Sequence, residues 1–366
     1  MQIVCSTCNA QYPLDTRAWH CPKCGGLFEI AGTVPFDPAS IEAGNSSLWR
    51  YRFLLPLPDG AEPISMGEGL TPVVETFLDG LHFFSKLDFM TPTGSFKDRG
   101  TTVLISLVRS LGISRVVEDS SGNAAASLSA YAARAGIAAD IFVPAHASPA
   151  KLAQIEIYGA RVRKIEGPRE KAALAVQKAA QGDAYYASHY YNPFVLAGMK
   201  TTAWELWEQF GRRAPFAVVA PVGHGTNLIG LARGFQALLE VGLIDRLPRL
   251  YAAQAAVVAP LVRAFENGLE DAPVAAPAQT VAEGIAINKP VRGREVLRAL
   301  RETQGGAIAV SEEEIVQARN EMARVGLYIE PTSATAVAAL RWLPEAVRKN
   351  SETVVTLTGS GLKSNV

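Results

Sequence analysis

The chain has 366 residues, of which 48% are hydrophobic and 19% charged, and its formal net charge is zero. This composition predicts a globular protein of two domains with a sizeable core, and it excludes an intrinsically disordered chain. Because there is no basic block and no apolar run of about 20 residues, neither nucleic acid nor a membrane is an expected partner. The N-terminus lacks a basic segment followed by an apolar one, so we expect a cytoplasmic protein.

Four cysteines near the N-terminus follow the pattern Cys-x2-Cys, twelve residues, Cys-x2-Cys, and these are Cys5, Cys8, Cys21 and Cys24. Two such pairs can hold one Zn²⁺ in a tetrahedral site, and the two glycines after the second pair suit a tight turn. Four thiolates leave no open position for water or substrate, so residues 1–30 are predicted to form a structural zinc ribbon. Disulfides would suit a secreted chain, and nucleic-acid binding would suit a more basic segment.

Residues 31–60 are rich in proline, glycine and serine, which is typical of a linker. We expect this segment to lie on the main body of the protein. Packing of Trp49, Tyr51 and Phe53 is predicted to anchor it, which is a structural role.

From about residue 84 the chain alternates between strand-like and helix-like segments. The predicted strands are RVVEDS, ADIFVPA, RVRKIEG, FAVVAPV and ETVVTLTGS. The predicted helices are AAASLSAYAARAG, SPAKLAQIEIYGA, EKAALAVQKAAQG, LIGLARGFQALLE and SEEEIVQARNEMARVG. Strands and helices that take turns predict an α/β architecture of parallel sheets with crossover helices.

Glycine-rich, polar loops follow three of these strands. SSGN follows VVED, VGHGTN follows FAVVAP, and TGSGLK follows TVVTL. In open α/β sheets ligands bind beyond the carboxyl ends of the strands. The three loops therefore predict one shared site.

Two of these loops have a chemical and a plain interpretation. Residues 221–227, PVGHGTN, would expose backbone N–H groups at a helix N-terminus and cradle a phosphate, or would simply form a strand-to-helix turn. Residues 119–123, DSSGN, would hold a carboxylate through hydroxyl and N–H groups, or Ser120 or Ser121 would only cap a helix. The residues by themselves leave these alternatives open.

Lys97 lies in TPTGSFKDRG, residues 91–100, after a proline, a glycine and a serine. A lysine held as a neutral amine forms a Schiff base with an aldehyde. Together with a phosphate cradle, it would suit the phosphorylated aldehyde pyridoxal 5′-phosphate (PLP). The alternative is an ordinary solvated lysine at the start of a helix.

Four motifs, in their order and spacing, decide between these alternatives. PTGSFKDRG, SSGNAAAS, PVGHGTN and LTGSGLK closely resemble the fold-type II PLP enzymes of the tryptophan synthase β superfamily, and within it the threonine synthase family. SLWRYRFLLP, GEGLTP and EPTSATAVAAL are also similar to that family. The resemblance spans nearly everything after about residue 47, and some members of the family carry an N-terminal zinc ribbon.

The resemblance implies a fold of two open α/β domains with parallel or mixed sheets, preceded by the small zinc ribbon. The PLP-dependent unit would span residues 61–366. A smaller subdomain, about 103–205, would be inserted in a larger one made of about 61–102 and 206–366. The family also implies a homodimer that acts on a small amino-acid substrate.

Carried over motif by motif, the resemblance assigns roles to individual residues. Lys97 would bind the cofactor's aldehyde, Phe96 would pack near its ring, and Asn123 would hydrogen-bond its 3′-oxygen. Thr358 would meet the pyridine nitrogen, where a neutral hydroxyl favours elimination and replacement over transamination. The residues that would cradle the phosphate are Gly223, His224, Gly225, Thr226 and Asn227. Those that would hold the substrate carboxylate are Ser120, Ser121 and Gly122.

In the implied reaction the substrate amine displaces Lys97, whose freed amine takes the α-proton as a general base. In threonine synthase, phosphate then leaves the γ-carbon of O-phosphohomoserine and water adds at the β-carbon.

The stretch SHYYNPFVLAGMKT departs from the family, which shows Asn-Ser-x-Asn-Pro-x-Arg before a Gly-x-Lys-Thr helix. His189 and Tyr190 stand at the usual Asn-Ser, and Val195 stands at the usual arginine. Ala124 replaces a threonine of the family. Several contacts to the substrate's phosphate are thus altered. Either His189 or an arginine from elsewhere binds that phosphate, or the substrate carries none.

The second possibility makes the protein a serine or threonine ammonia-lyase, or a β-replacement enzyme. The acidic residue before glycine in AEGIA, residues 282–286, is similar to the dehydratases of the superfamily. A more remote alternative is a non-catalytic PLP-binding regulatory protein that uses its ribbon to bind partners. We expect threonine synthase activity.

Overall fold

The computed structural model describes residues 1–32, 34–145, 147, 149–167 and 169–363. The chain divides into two compact units. Unit 1 comprises Met1–Glu68 and Lys97–Gly198, and unit 2 comprises Gly69–Phe96 and Met199–Val366. These bounds differ from the domain boundaries that the resemblance implies, which stay a prediction. Where predicted segments include residues 33, 148 or 364–366, those residues lie outside the described part of the chain.

Thirteen strands are formed by the described residues. They are β1 Gln2–Cys5, β2 Gln11–Tyr12, β3 Phe28–Ala31, β4 Val73–Leu78, β5 Leu81–Lys86, β6 Arg115–Glu118, β7 Ala138–Pro144, β8 Arg161–Ile165, β9 Tyr185–Tyr186, β10 Ala217–Pro221, β11 Arg249–Ala255, β12 Gly306–Val310 and β13 Thr353–Thr356.

The α-helices of the same residues are α1 Lys97–Ser110, α2 Asn123–Ala135, α3 Pro149–Ile157, α4 Arg169–Ala179, α5 Pro193–Gln209, α6 Thr226–Glu240, α7 Pro260–Glu266, α8 Gly293–Glu302, α9 Glu312–Arg324, α10 Pro331–Ala339 and α11 Glu345–Arg348. Six short 3₁₀ helices accompany them, at Pro38–Ser40, Leu48–Leu54, Ala256–Val258, Glu283–Ile285, Leu340–Trp342 and Gly361–Lys363. None of the described helices has both the length and the apolar composition needed to cross a bilayer.

Unit 1 contains two sheets. The N-terminal one is antiparallel, with the order β2-β1-β3, and carries the cysteines. The other is fully parallel, with the order β8-β7-β6-β9. Since the carboxyl ends of parallel strands meet at one edge, the segments that follow β6, β8 and β9 begin at the same edge of this sheet.

Unit 2 contains a six-stranded sheet with the order β12-β11-β10-β13-β5-β4, parallel except for the antiparallel pair β4 and β5. Its core includes α10, whose side chains from Thr332 to Ala339 are all buried. The expected fold class, two α/β units with parallel or mixed sheets and a small N-terminal ribbon, is confirmed.

The predicted strands and helices are found at their expected places. RVVEDS contains β6, AAASLSAYAARAG lies in α2, and EKAALAVQKAAQG covers most of α4. FAVVAPV and LIGLARGFQALLE correspond to β10 and α6 in the same way. Alternation of apolar strands with amphipathic helices was therefore a sufficient signal for these elements.

The anchoring of the linker was predicted correctly for two of its three aromatic residues. Trp49 and Tyr51 are buried in the 3₁₀ helix Leu48–Leu54, and Trp49 Nε1 donates to Glu68 Oε1 at 2.9 Å. Phe53 is 63% exposed, so the prediction that it anchors the segment is wrong. Within this short helix, alternate residues do not point to the same side, which is why the spacing of two misled.

Candidate active site

Lys97 is the first residue of α1 and is half-buried. The first turn of α1 is held in place by its neighbour Asp98, whose buried Oδ1 accepts a hydrogen bond from Ser127 Oγ in α2 at 2.7 Å. Lys97 therefore stands on a rigid element of unit 1 and not on an open loop.

The loop of residues 119–122 connects β6 to α2 in unit 1. Ser120 Oγ accepts a hydrogen bond from Gly122 N at 3.2 Å, and Ser120 is buried. Gly122 is the N-cap of α2 and makes no side-chain cap, so the alternative in which a serine caps this helix is wrong. Asn123 is the first helical residue, where the partial positive charge of the helix N-terminus is concentrated.

His189 contacts a buried carboxyl group at the end of β6. Its Nδ1 lies 2.7 Å from Glu118 Oε1. Burial raises the pKa of Glu118 to about 8, and the neighbouring charge of Asp119 acts in the same sense. The cations Lys97 and Arg169 act in the opposite sense, which places both near this carboxyl group.

Tyr190 and Tyr186 bind the next acidic residue along the loop. Tyr186 Oη donates to Asp119 Oδ1 at 2.7 Å, and Tyr190 Oη donates to Asp119 Oδ2 at 3.3 Å. Both tyrosines and Asp119 are buried. Burial is the first cause that raises the pKa of Tyr190 above its ordinary value, so its hydroxyl stays a donor. The carboxylate that precedes Ser120 is thus fixed by two hydroxyl groups.

The other departures from the family's pattern are apolar and buried. Val195 in α5 is 2% exposed and Ala124 in α2 is 4% exposed. Neither side chain can donate a hydrogen bond to a phosphate. Arg169, the first residue of α4, is exposed at the edge of the sheet where β8 ends.

In unit 2 the glycine-rich loop after β10 leads into α6. Gly225 has φ +96°, and a Cβ there would overlap the side chain of Val296. A Cβ on Gly223 would lie 3.1 Å from Ile287 Cγ1. Side chains are thereby excluded and the backbone N–H groups at the start of α6 stay bare, which suits a phosphate. Asn227 Oδ1 is buried and has no hydrogen-bond partner among the described residues.

The turn before Lys97 is held to the last loop of unit 2. Phe96 N donates to Thr358 O at 2.9 Å, and Ser360 N donates to Gly94 O at 3.0 Å. Gly94 has φ +77°, a conformation that glycine adopts without strain. The hydroxyl of Thr358 is buried 3.2 Å from Ser333 Oγ. Phe96 and Thr358, which the resemblance assigns to one cofactor, are therefore brought together.

The four cysteine sulfurs form a compact cluster in which all lie within 4.8 Å of one another. Cys5 Sγ lies 3.5 Å from Cys24 Sγ, and Cys8 Sγ lies 3.6 Å from Cys21 Sγ. Tetrahedral zinc with Zn–S bonds of about 2.3 Å needs sulfurs about 3.8 Å apart, so the geometry suits this ion. A Cβ on Gly26 would lie 2.8 Å from Cys5 Sγ, which explains the glycine there.

Sequence reasoning missed the partners of several site residues. These are Glu118, Asp119, Tyr186, Arg169 and Ser333. Ser333 lies within EPTSATAVAAL and carried a signal through the resemblance. The others depend on which strands are neighbours in the sheet, and no local pattern carries that information.

Comparison with known proteins identifies the family. Residues 64–359 match the family described as "Pyridoxal-phosphate dependent enzyme". The threonine synthase of Methanosarcina acetivorans is 35% identical over 97% of this chain and 90% of its own length. That of Methanocaldococcus jannaschii is 35% identical over 98% and 92%. That of Mycobacterium bovis is 36% identical over 86% and 87%.

Solved structures agree in fold. A bacterial-type threonine deaminase, described as from "T.th.", has a TM-score of 0.68 at 27% identity, and the match covers 81% of this chain and 94% of its own. The serine racemase of Dictyostelium discoideum has a TM-score of 0.67 at 26% identity, with coverage of 81% and 94%.

Proposed function

The chain belongs to the threonine synthase family of PLP-dependent enzymes, and we propose that it converts O-phosphohomoserine and water into threonine and phosphate. The observation that carries this proposal is the similarity to threonine synthases over nearly the whole chain, ribbon included. Lys97 at the start of a pinned helix supports it, because a cofactor-binding amine must be held at one place.

We assign roles toward the cofactor to individual residues of each unit. Lys97 would bind its aldehyde carbon and Asn123 its 3′-oxygen, while Phe96 would pack near the ring. Thr358 would meet the pyridine nitrogen. The phosphate group would be held by Gly223, His224, Gly225, Thr226 and Asn227, whose bare backbone at the start of α6 supports this assignment. When bound, PLP supplies an electron sink for the substrate's α-carbon.

The remaining roles belong to the chain's own groups. The amine of Lys97 would accept the α-proton as a general base. Ser120, Ser121 and Gly122 would hold the substrate's carboxylate, for which their position between β6 and the N-terminus of α2 is suitable. The neutral hydroxyl of Thr358 would leave the electron sink weak enough to favour elimination and replacement.

The substrate's phosphate would be met by Arg169 instead of the family's arginine. Val195 is apolar and buried, and His189 Nδ1 is engaged with Glu118, which leaves at most its other ring nitrogen for a ligand. Arg169 is exposed at the carboxyl edge of the unit 1 sheet, and its charge reaches Glu118. A guanidinium binds phosphate through paired, charge-assisted hydrogen bonds.

Two measurements test the activity. The purified protein should show the visible absorbance of bound PLP, and Lys97→Ala should lose it. Turnover should then be compared on O-phosphohomoserine, threonine, serine and O-phosphoserine. Release of threonine and phosphate from O-phosphohomoserine is the expected result. Deamination of a β-hydroxy amino acid, with no product from O-phosphohomoserine, would overturn it.

The assignment of Arg169 has its own test. Arg169→Gln should raise KM for O-phosphohomoserine about 10- to 100-fold, the effect of losing one charged hydrogen-bond donor. Lys178→Gln, a change of another cation at the far end of α4, should leave KM unchanged. Equal KM values for both variants would remove Arg169 from the site while leaving the proposed reaction intact.

The second candidate is a serine or threonine ammonia-lyase or a β-replacement enzyme acting on an unphosphorylated amino acid. It is favoured by the buried, apolar side chains at Val195 and Ala124. The same turnover comparison decides between the two. Absence of turnover on every amino acid would instead favour a non-catalytic PLP-binding protein.

The cysteine cluster would hold one structural Zn²⁺, because the four sulfurs already lie at suitable separations. Metal analysis should find about one zinc per chain. Free thiolates of this kind suit the reducing cytoplasm, where we place the protein. The family further suggests a homodimer, which sedimentation analysis would test.

A further inference from the structure

The ribbon packs against the unit 1 sheet through one aromatic residue, Trp19. Its ring centroid lies 4.8 Å from that of Tyr191 and 5.7 Å from that of Tyr186. Trp19 thereby joins the apolar cluster of Val117 and Tyr186. The indole is an integral part of the packing of this sheet, although it belongs to the cysteine-bearing segment.

The position of Trp19 is fixed from its own side as well. Two residues before it, Arg17 Nη1 donates to the carbonyl oxygen of Asp183 at 2.6 Å. Two residues after it comes Cys21, one of the four clustered cysteines. The space left between the ribbon and the residues 185–193 is a cavity of only about 10 Å³, the least that admits one water molecule. Movement of the ribbon would therefore be transmitted to the tyrosines.

Those tyrosines contact the loop to which we assign the substrate's carboxylate. Tyr186 Oη donates to Asp119 Oδ1 at 2.7 Å, and Tyr186 Oη also lies 3.3 Å from Tyr190 Oη. Asp119 is covalently followed by Ser120, the first of the carboxylate-binding residues. A continuous path of packed rings and hydrogen bonds thus runs from Cys21 through Trp19 and Tyr186 to this loop.

We propose that Trp19 is a positioning residue for the substrate-carboxylate loop, and that the ribbon acts as a buttress of the active site through it. The inference rests on the proposed function, since it takes Ser120 to bind substrate. Trp19 touches neither substrate nor cofactor. It restricts Tyr186, and so fixes the direction in which Asp119 holds the loop.

The experiment compares holoenzyme variants Trp19→Ala, Trp19→Phe and Tyr186→Phe with the wild type. Trp19→Ala should raise KM for the amino-acid substrate about tenfold while kcat falls less than about threefold, because a misplaced binding group weakens substrate binding before it affects chemistry. The visible absorbance of the cofactor should be unchanged, and Trp19→Phe should restore most of the KM. Phe53→Ala, a change of an exposed aromatic side chain elsewhere in unit 1, should match the wild type.

A second readout separates this inference from the proposed reaction. Threonine carries the same carboxylate without a phosphate, so its binding can be titrated through the cofactor's visible absorbance even if no turnover occurs. Trp19→Ala and Tyr186→Phe should both weaken it about tenfold. If Trp19→Ala does not fold, Tyr186→Phe, which loses only the hydroxyl, gives the result alone. Unchanged threonine affinity in folded variants, or affinity lost only together with the cofactor's absorbance, would overturn the proposal.

Discussion

Lys86 and Lys97 illustrate how the surroundings of an amine determine what it can do. Lys86 is fully buried, and its Nζ donates to Glu205 Oε2 at 2.7 Å, to Thr71 O at 2.7 Å and to Gln209 Oε1 at 2.9 Å. These acceptors fix it as a cation. Lys97 stands at a helix N-terminus, where the helix dipole opposes an ammonium ion. Of these two lysines, Lys97 has the surroundings that suit a nucleophile.

Lys86→Met should destabilise the protein strongly. The change leaves Glu205 buried without its cation, for which a loss of about 3–5 kcal/mol in the free energy of unfolding is expected. The double variant Lys86→Met, Glu205→Met should recover most of this loss. Urea denaturation measures both, with Lys349→Met at an exposed ion pair as the control. A single variant within about 1 kcal/mol of the wild type would contradict the argument.

Glu118 should make stability depend on pH. Its pKa of about 8 in the folded protein lies above the ordinary 4.5, so the folded state holds the proton more tightly. The resulting stability is fully present below about pH 4.5 and is lost as the pH rises through 8. The charged groups around Glu118 that set this balance are Asp119, Lys97, Arg169 and His189.

Glu118→Gln keeps the uncharged form at every pH and should flatten this dependence. Relative to wild type, the variant should gain stability between about pH 5 and pH 9, by about 1.4 kcal/mol for each unit of pKa difference. Denaturation at several pH values measures it, and exposed Glu170→Gln serves as the control. Parallel profiles for wild type and Glu118→Gln would show that Glu118 does not titrate as argued.

Helices α1 and α5 approach each other at Gly198, and this contact belongs to the scale of elements. A Cβ on Gly198 would overlap the carbonyl oxygen of Arg99. Gly198→Ala should therefore push apart the two helices and cost about 1–3 kcal/mol of stability. Since Arg99 lies in the first turn of α1, the cofactor's absorbance should change as well. Gly182→Ala, where a Cβ lies 3.6 Å from Ala179 O, is the matched control, and equal stability of the two variants would contradict this.

Predictability from sequence differed between kinds of element. Strands such as β10 and helices such as α6 were found because their apolar patterns are local. The antiparallel hairpin of β4 and β5 was missed, although its Asp79-Gly80 turn, with φ of 47° and 75°, is a strong hairpin signal. The motif around Lys97 was recognisable because it is contiguous.

The pair of His189 and Glu118 could not have been predicted in the same way. The two residues are 71 positions apart, and their contact exists only because β9 lies beside β6 in the sheet. The same holds for Tyr186 and Asp119. Strand order depends on how crossover connections are arranged over the whole unit, and local periodicity does not contain it.

On the scale of the whole molecule, the ribbon is the part whose folding should depend on metal. Its three strands are two to four residues long. Apart from the cysteines, its buried side chains are chiefly Ile3 and Phe28. So small a core cannot offset the entropy of ordering the segment, and metal binding has to supply the difference.

Cys8→Ser combined with Cys24→Ser should therefore remove the metal and unfold residues 1–32 locally, while the parallel sheets stay folded. Both cysteines are exposed, so the substitutions themselves remove little packing. Hydrogen exchange should show lost protection in β1 and β3 and retained protection in β6, β10 and α6. Loss of protection throughout the chain would mean that the ribbon is required for the fold itself. If protection is lost only in the ribbon while threonine binding weakens, its metal stabilises the active site without holding the enzyme together.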